Sequence, residues 1–238
     1  AAKERILKHT KPLRAVSVSL ENALGSILSE SISSPVNLPP FDQSAMDGYA
    51  VRARDFQENK TIRISGEVAA GSVLSSRMAK ASAVRIFTGA PIPSGADAVL
   101  MQEKISVHQG YLHSPEILPS KGDNIRKKGS QIKAGQTALR KGTQITPGTI
   151  GFLSAMGITH VKVFDKPRIK VLVTGTELTK PGNKLGPGQS FESNSYALNA
   201  AIQSLGNQST VSIQVADDAG KTRSALQKAL KSADLVLV

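Results

Sequence analysis

LPPFDQSAMDGYAVRARDF, residues 38–56, combines a stiff entry, a polar turn and a strand within one short stretch. Pro39 and Pro40 fix their own φ and bias the residue before each towards an extended form. Asp42, Ser44 and Asp47 then place carboxylate and hydroxyl groups in a predicted turn. Gly48 follows Asp47 directly, and Asp-Gly is a turn dipeptide. From Tyr49 to Arg54 the alternation of side chains predicts a strand. A hairpin with polar turn residues accounts for this much by itself.

The rest of the chain bounds what this turn belongs to. With 238 residues there is room for one to three domains. Hydrophobic residues make up 39% and charged residues 20%, which predicts a packed protein rather than a disordered one. Aromatics are 4% and Trp is absent, so the core has to be built from Val, Ile, Leu and Ala. The absence of Cys excludes disulfides, thiolate metal sites and a cysteine nucleophile, and it is compatible with a cytoplasmic location. No apolar run reaches the roughly 18 residues of a membrane-spanning helix. The basic start lacks the apolar segment of a secretory signal, and without a Met it is expected to be a processed or trimmed start. The net charge of +12 suits anionic partners: nucleic acid, phosphorylated metabolites, oxyanions or acidic proteins. Its densest cluster, Arg126-Lys127-Lys128, has no interleaved stacking aromatics, which favours a diffusely basic surface over a nucleic-acid groove.

Local patterns predict a short helix at Arg5 to His9 and a Ser19-capped helix running to about Glu30. Residues 49 to 125 alternate in short segments punctuated by Gly, Pro, Ser and Asp, predicting a small all-β unit, barrel-like or a bent sheet. Ile132 to Gly135 reads as a short β segment with a turn. Thr146, Pro147 and Gly157 are the cap, first residue and stop of a helix. Residues 1–37 and 126–165 are each too small to bury a core alone, so they are expected to form one discontinuous mixed α+β domain. Residues 38–125 are the β domain inserted in it. From residue 166 to 238 the order becomes β-α-β-α-β, the layout of an open parallel sheet covered by helices. The chain is therefore multidomain, with an incomplete α/β domain last. A third strand with nothing after it leads to the expectation that the sequence is a fragment of a longer protein.

Open parallel sheets bind ligands at the carboxyl ends of their strands. Glu177 lies just past one such end and can hold a metal or act as acid or base, with a solvent-exposed loop Glu as the plainer reading. Asp217 and Asp218 lie at the next; two adjacent carboxylates suit Mg²⁺, but Asp218 is better placed as a helix N-cap, leaving Asp217 as the ligand candidate. Thr88-Gly-Ala-Pro-Ile-Pro93 is a rigid turn whose hydroxyl and N–H groups can receive an oxyanion or simply connect two strands. His9, His108, His113 and His160 have no metal-ligand spacing, and neither a P-loop nor a dinucleotide fingerprint is present.

Taken jointly, FDQSAMDGYAV (Phe41 to Val51), RIFTGAPIPSGADAVLMQE (Arg85 to Glu103), NIRKKGSQIKAG (Asn124 to Gly135), TPGTIGFLSAMGI (Thr146 to Ile158), VLVTGTELTKPG (Val171 to Gly182) and GQSFESNSYAL (Gly188 to Leu198) resemble the molybdopterin molybdenumtransferases. These are the bacterial MoeA proteins and the E domains of gephyrin-type proteins. The pieces stand in the family's order over nearly the whole chain.

The resemblance implies an elongated multidomain fold with a three-layer, molybdopterin-binding-like α/β domain. It implies molybdenum cofactor biosynthesis: adenylylated molybdopterin and molybdate as substrates, Mg²⁺ as cofactor, AMP released and molybdenum left on the dithiolene sulfurs. It carries catalytic roles to Asp47, Thr88, Glu177 and Asp217, metal binding to Glu177 and Asp217, and cofactor binding to Gly175, Ser193 and Asn194. It implies a cytoplasmic homodimer whose site is shared between chains, Asp47 reaching into the partner's pocket. Molybdopterin adenylyltransferase is the functional partner it implies, with neither nucleic acid nor membrane. Some relatives carry an acid where Gln131 stands, so Gln131 is given no role. The family's glycine-rich GG-x-S-x-G loop, due after Val238, and a final β domain are not in the sequence, so the chain is expected to be an inactive N-terminal fragment. A scaffold or anchoring relative of the gephyrin type, without catalysis, and a basic nucleic-acid-binding module are the alternatives.

Overall fold

The computed structural model describes residues 2–59, 61–72, 77–113, 118–206 and 210–238. The chain divides into two compact units, residues 1–32 with 139–238, and residues 33–138. The three-part division expected from the sequence is finer than these two units.

The first unit begins with helix α1 (Ala2–His9) and strand β1 (Ala15–Ser19). The predicted helix from Ser19 to Glu30 does not form. Only a single 3-10 turn covers Leu20–Asn22, and Ser19 provides no side-chain cap. Gly25 at φ +76° turns the chain away. The backbone then bonds to distant segments, Gly25 N–H to Ile145 O at 2.9 Å and Leu28 N–H to Thr143 O at 3.0 Å. The apolar spacing did mark burial, since Leu20, Ala23 and Leu28 are in the core, but Leu24 and Ile27 are exposed. Tertiary backbone pairing overrides a weak local helix preference here.

The second unit is built on β2 (Gly48–Val51), helix α2 (Ala53–Asn59), β3 (Thr61–Val68), β4 (Ser82–Ile86), β5 (Ala98–Met101), β6 (Ser106–His108) and β7 (Tyr111–His113). The strands form one six-stranded sheet in the order β5-β2-β4-β3-β7-β6. β3 and β4 run parallel and the other pairs antiparallel. Alternate residues of β2 and β5 enter two different cores. Val51 and Leu100 pack with Phe56, Ile62 and Leu112. Ala50 and Val99 pack with Val68, Val84 and Ile86. Both faces of the sheet are thus covered.

Three expectations for this unit are corrected. It is not all-β, because the strand read through Arg54 stops at Val51 and α2 begins at Ala53. The carboxylate of Asp97, far away in sequence, accepts the Ala53 N–H at 2.7 Å, so the helix start is set by a tertiary contact. The short alternating segments Thr61–Ile64 and Glu67–Ala70, which read as two strands in the sequence, form one strand ending at Val68, with an irregularity between Ile64 and Gly66. The β segment placed at Ile132 to Gly135 reduces to one bridge between Leu38 and Ile132, and the strand lies at Thr137–Leu139.

The first unit resumes with α3 (Pro147–Ala155), whose cap Thr146 accepts the Thr149 N–H as expected. β8 (His160–Phe164) pairs antiparallel with β1. There follow β9 (Ile169–Thr174), α4 (Asn194–Ser204), β10 (Thr210–Val215), α5 (Ala219–Leu230) and β11 (Leu235–Leu237). β9 lies between β10 and β11, parallel to both, as the β-α-β-α-β reading requires. Ile169, Val171, Val173 and Ile202 form its core. Asp218 caps α5 by accepting the Lys221 N–H at 2.7 Å, the role the sequence assigned to it. Among the described residues no helix is long and apolar enough to cross a membrane.

One ion pair ties β9 to β11. Arg168 donates its backbone N–H and Nε to Asp234 Oδ2 at 2.8 and 3.0 Å, and a terminal nitrogen to Oδ1 at 2.9 Å. These bonds, the guanidinium's first, hold the Asp234 carboxyl down at about 2. A carboxylate with a depressed folded pKa stabilises above its unfolded pKa of 3.8 and loses that contribution as pH falls towards 2. Asp234→Asn is therefore expected to lose less stability than the parent chain between about pH 5 and pH 2, read as urea midpoints. Equal losses in both proteins would remove Asp234 from the acid response.

Candidate functional site

In the second unit the turn preceding β2 is zipped to the turn following β4. Ser44 N–H donates to Ala90 O, Gly89 N–H to Ser44 O and Ile92 N–H to Asp42 O, at 2.9, 2.9 and 3.0 Å. Ser44 is fully buried and its hydroxyl donates to Met46 O at 2.5 Å, which fixes the bend before Asp47. This framework brings together two residues 41 positions apart. Thr88 donates both its backbone N–H, at 2.7 Å, and its hydroxyl, at 2.8 Å, to Asp47 Oδ1. The two donors offered by sequence reading to an oxyanion are thus engaged by a carboxylate of the same unit. Oδ2 of Asp47 has no hydrogen-bond partner among the described residues and is available to a ligand. The Thr88 N–H and hydroxyl, with the charge of Arg85, hold the Asp47 carboxyl below its ordinary range.

Further residues surround this turn. The Arg85 guanidinium lies 5.0 Å from the Tyr49 ring centroid and 5.1 Å from that of Phe87. A terminal nitrogen of Arg85 also donates to Gln102 Oε1. Asp42 is occupied elsewhere, accepting from Lys127 Nζ and Lys128 N–H, both at 2.8 Å. Those bonds lower its pKa, the Lys127 side chain first.

In the first unit the candidate residues gather at the carboxyl ends of β9 and β10. Gly175 directly follows β9 at φ +154°, where an added Cβ would stand 2.7 Å from the Leu178 side chain. Glu177 and Asp217 are both exposed. Their loops touch, with Asp217 N–H donating to Thr176 Oγ1 at 3.2 Å. A cavity of about 760 Å³ opens here, lined by Gly175, Thr176, Lys180, Glu192, Ser195 and Ala216 among others. Glu177 and Asp217 do not line it but each adjoins a residue that does. Ser193 and Asn194 are exposed and outside the lining, and Ser193 makes no side-chain cap on α4. Among the described residues no group of three or more His, Cys, Asp or Glu is placed to hold a metal. A site made of Glu177 and Asp217 therefore needs oxygens from a ligand, the usual arrangement for Mg²⁺ on phosphates.

Sequence reasoning missed Glu192 and Ser195. Glu192 is only 5% exposed, and it accepts the Ser195 N–H at 2.7 Å and the Ser195 hydroxyl at 2.5 Å. Burial pushes its carboxyl up, but the bonds from Ser195 and from the Asn194 N–H outweigh it and leave the pKa lowered. A buried carboxylate thus closes the start of α4 against the cavity. Its signal was the Glu one residue ahead of the Ser-Asn-Ser helix start.

A family model described as the MoeA N-terminal region, domain I and II, matches residues 1–157. The molybdopterin molybdenumtransferase of Haemophilus influenzae is 36% identical over 226 residues, covering 95% of this chain and 56% of its own. Molybdopterin molybdenumtransferase 2 of Mycobacterium tuberculosis is 35% identical over 231 residues, covering 94% and 56%. Two solved structures of the Pyrococcus horikoshii molybdopterin biosynthesis MoeA protein also align. One has a TM-score of 0.82 at 31% identity, covering 94% of this chain and 60% of that one; the other 0.77 at 34%, covering 98% and 61%. The chain spans 56% of the length of each of the two curated relatives.

Proposed function

The chain belongs to the MoeA family, and from that premise we propose that it serves molybdenum cofactor biosynthesis as a molybdopterin molybdenumtransferase. The substrates are adenylylated molybdopterin and molybdate, and the products are AMP and molybdenum-loaded molybdopterin. The observation that carries this reading is Asp47, held at Oδ1 by both donors of Thr88 with Oδ2 left open. The two bonds to Oδ1 fix the turn, and the carboxylate so held presents Oδ2 in a preset position for a ligand. The cavity at the ends of β9 and β10 supplies a pocket of ligand size. Both substrates are anions, which the net charge of +12 favours.

Glu177 and Asp217 would hold Mg²⁺ together with phosphate oxygens of the adenylylated substrate. Bound there, the ion supplies charge neutralisation for the departing AMP. The chain's own groups orient the two anions, Lys180 lining the pocket and Gly175 keeping its floor open to Leu178. Ser193 and Asn194, exposed at the start of α4, are proposed to meet the pterin. We place the working protein in a homodimer, Asp47 of one chain serving the pocket of the other, with the adenylyltransferase upstream as source of substrate. The 238-residue chain by itself is proposed to be inactive.

The natural protein, as its gene encodes it, is expected to release AMP when given adenylylated molybdopterin, molybdate and Mg²⁺. No AMP from a folded protein would overturn the enzymatic reading and leave the scaffold role. Glu177→Gln and Asp217→Asn are each expected to raise the Mg²⁺ concentration for half-maximal rate about tenfold or more, the loss of one charged ligand costing at least ~1.4 kcal/mol. An unchanged Mg²⁺ dependence would remove that residue from the metal site.

A further inference from the structure

Arg85 lies in β4 directly across from Tyr49 of β2. Its guanidinium stands over two rings, Tyr49 and Phe87, at 5.0 and 5.1 Å from their centroids. Gln102 completes the clamp. Its side chain accepts from Arg85, while its backbone N–H donates to Asp47 O at 3.1 Å. Arg85 is thereby tied to the Asp47 turn through a single residue. None of its three anchors is an acid, so its charge is held in place without being neutralised by an ion pair among the described residues. An arginine kept only for stability gains most from a carboxylate partner. This one instead keeps its charge available beside Asp47.

We propose that Arg85 is a positioning residue for Asp47: the clamped guanidinium holds the turn through Gln102 and maintains a fixed positive charge beside a carboxylate that works among anionic substrates. The inference rests on the proposed transferase reaction for its purpose, though not for its geometry. The titratable and charged side chains on the turn and the elements packed around it are Asp42, Tyr49, Arg85, Glu103, Lys104, Arg126, Lys127 and Lys128. Of these, Arg85 is the one whose charge bears on the Asp47 carboxyl, and in the downward direction. Glu103 is turned to Gln102, accepting from its Nε2 at 3.2 Å.

The test follows the Asp47 side-chain carboxyl carbon by NMR through a pH titration of the 238-residue chain. In Arg85→Gln the midpoint is expected to move up. In Arg85→Lys, which keeps the charge on a less planar group, it is expected to return most of the way. The amide spectrum of each variant reports whether it is folded, and Arg85→Met, which also removes the charge, serves if Arg85→Gln is not. In the natural protein Arg85→Gln is expected to lower kcat for AMP release about tenfold, with Arg85→Lys partly restoring it. The acid limb of the pH profile moves upward with the titration. An unmoved Asp47 midpoint in folded Arg85→Gln, or an unchanged kcat, overturns the proposal. If the parent protein releases no AMP, the transferase reading falls while the titration still decides whether Arg85 acts on Asp47.

Discussion

Asp47→Asn is expected to lower AMP release by the natural protein about 10²–10³-fold with the fold intact, the scale of removing one preorganised electrostatic contact from a reacting centre. Asparagine is the informative replacement. It matches aspartate in size, and its amide oxygen can still accept the Thr88 N–H and hydroxyl that now meet Oδ1 at 2.7 and 2.8 Å. The turn is therefore preserved and only the charge is lost. Alanine would also leave the two Thr88 donors without their acceptor, mixing a structural loss with the chemical one. Because Thr88 and Arg85 keep the Asp47 carboxyl below its ordinary range, the parent activity is expected to persist into mildly acidic solution, with Asp47 still ionised. Thermal melts of the variant check the fold. A rate within about threefold of the parent would clear Asp47 of a catalytic role. If the site is shared between chains, mixing Asp47→Asn with Glu177→Gln subunits restores part of the activity, because a mixed dimer then holds one intact pair.

What could be read from the sequence follows the reach of each signal. The helix Pro147–Ala155 and the three parallel strands were legible because their cap, stop and apolar runs are local and agree. The segment after Ser19 misled because its apolar spacing is helical while its partners are Thr143 and Ile145. Helix α2 was hidden for the same reason, its first N–H being satisfied by Asp97 rather than by a neighbour. Asp47, Thr88, Glu177 and Asp217 stood out individually. The bond between Asp47 and Thr88 did not, since nothing in either motif shows that both Thr88 donors converge on one oxygen. Glu192 was passed over because acids near helix starts are common, and only burial at 5% exposure separates this one from the rest.

Gly48→Ala is expected to destabilise the second unit by about 3 kcal/mol or more, at the upper end of overpacking costs. The Asp-Gly pair suggests a glycine chosen for the turn, but Gly48 is the first residue of β2 and is not among the glycines with positive φ. Close approach is what requires it. β2 lies between β4 and β5, with Gly48 opposite Ile86 on one side and Met101 on the other. A Cβ would fall 1.8 Å from Leu100 O, 2.8 Å from Leu100 C and 3.2 Å from the Met101 Cα. All three are backbone atoms, so no rotamer change relieves the clash, and β5 has to move off β2. That movement drags Val99 and Leu100 out of the two cores and loosens the Asp47 turn directly upstream. Gly89 provides the contrast within the same site: its φ is +83°, yet nothing lies within 4 Å of where its Cβ would stand. Gly89→Ala is therefore expected to cost only about 1 kcal/mol of backbone strain. Urea unfolding of both variants separates the two causes. A Gly48→Ala chain as stable as Gly89→Ala would show that β5 yields easily, and the rigid placement of Asp47 argued from this sheet would fall with it.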